Sequence, residues 1–252
     1  MHLSVLFFVY RLKTFWNAFG LLCASKSVAQ VMLTLVFLGW SAPLAIKQST
    51  LGSPSKANIW MGRAQQLLDF VTLLSDAAIA VNRFCAISFP SRYRHFSGKH
   101  LLSGFVGLLW VLAMLVVFLF AMNRGDVFFD AQVLIWQAVY SESLVSFINQ
   151  IGFDMSLTVG VILIDMATFI SVVLYKMVKS NLPFVSQPSS PSKQVPRHKV
   201  STKSSVFFAQ IAVQNVLGLL NVVLIYTCTT GDSFIIFFMN FALWIIIINT
   251  DA

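Results

Sequence analysis

The chain has 252 residues, of which 58% are hydrophobic and 10% charged, and a formal charge of +8. Soluble domains carry roughly 25% charged residues, and a chain of this size cannot bury so much apolar side chain and still clothe its surface in polar groups. Disorder and an ordinary soluble enzyme are therefore excluded, which leaves an all-α polytopic membrane helix bundle.

A membrane-spanning helix needs about 20 mainly apolar residues. Residues 1–14 hold a short apolar run, Leu3 to Tyr10, that covers about half a bilayer by the same arithmetic; it reads as the remnant of a first helix and the start of a cytosolic loop. Residues 15–252 form the transmembrane domain, with helices expected at about 21–46, 65–87, 101–122, 151–177, 206–229 and 234–250. The stretch 181–204 is rich in Pro, Ser and cations and reads as a cytosolic loop. The loop 123–149 is ring-rich (Phe128, Phe129, Trp136, Tyr140), as an interfacial cap would be.

The cations sort by side. Arg11, Lys13 and Lys26, then Arg83, Arg92, Arg94 and Lys99, then six more between Lys176 and Lys203 make thirteen on one side, against Lys47, Lys56, Arg63 and Arg124 on the other. That asymmetry places the first set in the cytosol and assigns the cations to membrane topology rather than to nucleic acid.

Ionisable residues inside a span are functional candidates by default. Asp69, Asp76 and Arg83 are seven apart on the 65–87 helix. Seven residues drift only about 20° around an α-helix, so the three share a face, which should look into the bundle. Asp165 lies well inside the 151–177 helix, and Gln210 and Gln214 sit one turn apart on the 206–229 helix, placed for interhelical hydrogen bonds. These five are the candidates for a ligand-facing or packing polar core, and for Asp69 a plain interfacial role is the simpler expectation. No metal-ligand spacing is present, and all four histidines fall outside the spans. No phosphate loop, nucleophile elbow or H-E-x-x-H appears, so neither a cofactor nor catalysis is expected.

The segment "VNRFCAISFPSRYRHFSGK" at 81–99 resembles the cytosolic end of the third helix in the nematode serpentine chemoreceptor class x (Srx) family, whose pattern is similar to N-R-F-x-A-I-x-x-P-x-x-Y. It is matched by Asn82, Arg83, Phe84, Ala86, Ile87, Pro90 and Tyr93. "FGLLCASKSVAQ" at 19–30, "WSAP" at 40–43, "FFAQIAVQ" at 207–214 and "ALWIIIINTDA" at 242–252 match further parts. The resemblance implies a rhodopsin-like seven-helix receptor whose first helix is largely missing here and whose seventh is clipped. It further implies an outside-facing small-molecule ligand, a cytosolic heterotrimeric G protein and residence in the plasma membrane of sensory cells. Asn82, Arg83, Pro90 and Tyr93 would form the switch and coupling region, with Arg83 the switch arginine. Asn82 stands where many receptors of this broad class have an acid; it forms no ion pair, so a resting lock on Arg83 must be weaker or use another partner. The long outer loop lacks the cysteine that the family tends to have there. Two alternatives stay open: an ion- or proton-coupled transporter using Asp76 and Asp165, and a non-signalling truncated receptor fragment. Phe- and Met-rich helices suit an apolar ligand, and the Asp69/Asp76 stripe would suit a cationic one.

Overall fold

The computed structural model describes residues 7, 11, 18–47, 55–90, 93, 99–122, 126–131, 135–139 and 144–181. The expected helices at 206–229 and 234–250, with Gln210 and Gln214, lie outside the described residues, as does the loop stretch 182–204. Among the described residues, four helices are long and apolar enough to cross a membrane.

The first is built of α1 (Ala18–Val36), a π-turn (Phe37–Ser41) and α2 (Ala42–Lys47). The π-turn has a local cause. Pro43 has no N–H for the carbonyl four residues back, and the Ala42 N–H bonds to Phe37 O, one residue further than an α-helix would reach.

Next comes α3 (Lys56–Ser88), which begins nine residues earlier than hydropathy alone places it. Ser55 is the reason: it has extended backbone angles, and its Oγ accepts from the Asn58 N–H at 3.2 Å, satisfying one of the four unpaired donors of the first turn. α4 (Lys99–Met122) is very apolar, and Val111, Phe118 and Met122 stand exposed on it, as a lipid-facing helix requires.

The ring-rich loop forms a hairpin of β1 (Asp126–Asp130) and β2 (Ile135–Val139), antiparallel with Phe129 opposite Trp136. After it, α5 (Leu144–Asn181) runs 38 residues, about 57 Å at 1.5 Å per residue, and so extends well beyond the ~30 Å hydrocarbon layer.

Packing is centred on α3. One cluster joins Ala29 and Leu33 of α1, Leu68 and Val71 of α3, and Ala113 of α4. A second, nearer the Arg83 end, joins Leu22, Ala78, Ile79 and Leu109. A third, at the hairpin end, seats Phe129 and Ala131 on Leu44, with Trp40 and Trp136 beside them.

Lys26 corrects the sequence reading. It belongs to no loop: it lies inside α1 and its Nζ is 2.7 Å from Asp76. An acid on the facing helix supplies a counter-charge, so the ammonium has no need to leave the bundle. The sidedness count becomes twelve to four, and the bias stands.

Candidate functional site

The polar face of α3 reaches three neighbours along its length. Midway, Asp76 takes Lys26 of α1 as its partner. Two turns further, about 10.5 Å along the axis, Arg83 Nη2 donates to both carboxylate oxygens of Asp165 on α5, at 2.9 and 3.2 Å. The Arg83 and Asp165 side chains are 17% and 8% exposed, so this pair is nearly dry. The expectation that the stripe faces the bundle holds for both residues. Asp69 is different: its Oδ2 accepts from Gln65 Nε2 at 2.5 Å, one turn away on the same helix.

Past Arg83 the helix closes on itself. The Phe89 N–H bonds to Cys85 O at 3.0 Å, the Tyr93 N–H to Phe89 O at 2.9 Å, and the exposed Pro90 sits between them. Proline in that place has lost only its donor, which the first turn of a new helical segment leaves unused in any case. The Tyr93 hydroxyl returns to donate to Asn82 Oδ1 at 3.0 Å. Asn82, Arg83, Pro90 and Tyr93 therefore come together at one end of α3. Asn82 is engaged by Tyr93, and the carboxylate facing Arg83 comes from α5.

At the other end, the structure brings forward residues that the sequence reading missed. Asn58 is fully buried. Its Oδ1 accepts from Trp40 Nε1 at 3.0 Å and from the Phe129 N–H at 3.1 Å, and its Nδ2 donates to Phe129 O at 2.8 Å. One amide thus ties the first span, α3 and the hairpin together. Arg63 adds an ion pair to Asp126 at 2.8 Å and lies over the Trp60 ring at 5.2 Å. The hairpin is held to α3 by hydrogen bonds and charge at the place where the family resemblance leads one to look for a cysteine. Gln66 was also missed: it is buried, and its Oε1 and Nε2 have no partner among the described residues. A buried amide in that state calls for a water, a bound molecule or another side chain.

A bundle of long apolar helices, with ion pairs between its helices and a hairpin across one end, defines a polytopic all-α membrane protein. The chain belongs to the serpentine-type seven-transmembrane chemoreceptor family Srx, whose family model matches residues 1–252. It is a receptor family, and the receptor class follows for this chain. No curated protein matches the sequence.

Proposed function

We propose that this chain is a chemosensory receptor of the plasma membrane of sensory cells, with its hairpin end outside and its Arg83 end in the cytosol. It takes a small molecule from the hairpin side and signals through a heterotrimeric G protein. The charge bias across the membrane supports this orientation. In this reading the Arg83–Asp165 pair is the resting lock. A guanidinium held by a carboxylate of the neighbouring helix is unavailable to a partner. When ligand favours a bundle in which α3 and α5 part, Arg83 turns to the cytosol and the G protein selects that state.

The observation that carries the proposal is this pairing of the motif arginine with Asp165 across 82 residues of sequence. It also speaks against the transporter alternative, because the two acids that would bind the coupling ion, Asp76 and Asp165, already hold cations. For the same reason Asp76 is a poor anchor for a cationic ligand.

The test is Asp165→Asn in cells reporting G-protein activation. A shift of 1.4 kcal/mol is tenfold in an equilibrium, and removing one member of a buried pair costs on the order of 3–5 kcal/mol. Basal signalling should therefore rise about tenfold or more at equal surface expression. Arg83→Ala should abolish ligand-evoked signalling. Unchanged basal activity in the first variant, or intact coupling in the second, would remove the lock.

A further inference from the structure

We propose that the groove between α3 and α4 is a binding site for a neutral, long-chain molecule bearing a single carbonyl, which enters sideways from the outer leaflet. The proposal rests on the receptor reading above for its sidedness. The groove has a volume of about 550 Å³ and is lined by Trp60, Arg63, Leu67, Met114, Phe118 and Met122, among others. That volume falls within the usual ~300–1,000 Å³ of small-molecule sites.

Its depth follows from the helices. Trp60 to Leu67 lie about 6–17 Å from the start of α3 at 1.5 Å per residue. Half of the hydrocarbon layer is about 15 Å, and the α4 residues belong to the end of that helix nearest the hairpin. Trp60, Met114, Phe118 and Met122 are exposed, so the groove opens toward lipid and not toward the bundle axis.

Arg63 selects the chemistry. Among the described residues it is the one charged side chain on the lining, and its charge is already matched by Asp126 at 2.8 Å. A second anion would leave an uncompensated negative charge at a low-dielectric boundary, which argues against a carboxylate or phosphate head. The guanidinium has five N–H donors, and its hydrogen bond to Asp126 is made from Nη2. A ketone, aldehyde or ester oxygen can take a free donor of this half-buried fork without adding charge, and Trp60 and Phe118 give its chain apolar walls. A phospholipid tail fits the walls, but its ester carbonyls bring a phosphate with them, the second anion that the Arg63–Asp126 pair disfavours.

The experiment is photolabelling of the full chain in phosphatidylcholine nanodiscs, with no G protein. Two probes are compared: a long-chain methyl ketone carrying a diazirine, and the matching alkane diazirine. The ketone should label the α3 and α4 groove segments saturably, and unlabelled ketone should compete, while the alkane labels weakly and without saturation. Ala64→Phe, which fills the groove from α3, should abolish ketone labelling; if that variant aggregates, Ala121→Leu fills it from α4. Arg63→Met should weaken the ketone about tenfold and leave the alkane unchanged. Asp126→Asn, which keeps the donors, should retain the label. Equal, unsaturable labelling by both probes, unaffected by Arg63→Met, would reduce the groove to ordinary lipid contact and overturn the proposal. Labelling does not depend on coupling, so its loss leaves the Arg83 lock standing, and failure of the lock leaves the labelling result intact.

Discussion

Lys26 and Asp76 meet at 2.7 Å between the first span and α3, two helical turns from the Arg83–Asp165 pair. The two pairs have opposite polarity on α3: its acid is answered by α1 and its base by α5. Each neighbour is thereby fixed in register by a charge of its own, and exchanging the two docking helices would set like charges against each other.

Lys26→Met should lower the apparent unfolding midpoint in detergent. The cost is expected to be on the order of 1–3 kcal/mol, below that of a fully buried pair, because the Asp76 side chain is 35% exposed. The reversed pair, Lys26→Asp with Asp76→Lys, should recover most of the loss. No recovery in the double variant would mean that packing of the Lys26 stem, not the charge pair, is what matters.

Tyr93→Phe removes the hydroxyl that donates to Asn82 Oδ1 while leaving Arg83 and Asp165 in place. A single neutral hydrogen bond is worth about 0.5–1.5 kcal/mol net, so the half-maximal ligand concentration for G-protein activation should shift two- to about tenfold. Surface expression should not change. Asn82→Asp supplies a second carboxylate next to Arg83 in sequence. It should compete with Asp165 for the guanidinium, weaken the pairing between the two helices and raise basal signalling, which a reporter assay at matched surface expression would register.

The four described spans and the Asp76/Arg83 stripe were legible in the sequence because hydropathy and the seven-residue spacing are local properties of one helix. Their partners were not. Lys26 looked like a cytosolic anchor because it lies close to the charged end of its span, and only the facing Asp76 changes that reading. Asp165 was visible as an acid in a span, but its place opposite Arg83 is set by how α3 and α5 cross. The hairpin was hidden for another reason: residues 131–134 read Ala-Gln-Val-Leu, with none of the Gly or Asn that usually announces a tight turn. Asn58 follows Gly52, Ser53 and Pro54, a loop-like run that masked the Ser55 cap.

Asn58→Ala should loosen the hairpin most among the polar substitutions. It leaves Trp40 Nε1 and the Phe129 N–H and C=O without their partner, and each such buried group costs about 1–3 kcal/mol. A destabilisation of about 3 kcal/mol or more is expected, with faster proteolysis after Phe128 and Phe129. Asn58→Asp should be no better, because a carboxylate cannot donate to the Phe129 carbonyl.

Glycines give a test in which the sign itself is predicted. A Cβ built on Gly62 would overlap the Val127 carbonyl of β1, a backbone group with nowhere to turn. Gly62 therefore allows a close approach of the hairpin backbone to α3, next to the Arg63–Asp126 pair. Gly62→Ala should force the hairpin off α3, lowering the unfolding midpoint and exposing 126–139 to protease. On the exposed face of α4, Gly104 has nothing within 4 Å of its would-be Cβ. There Gly104→Ala reduces only the freedom of the unfolded chain and improves helix propensity, which should stabilise by about 0.4–1 kcal/mol. Opposite shifts of the midpoint in the two variants would place the close approach at Gly62. A Gly62→Ala protein as stable as Gly104→Ala, with the same protease resistance, would mean that the hairpin is not seated on α3 at all.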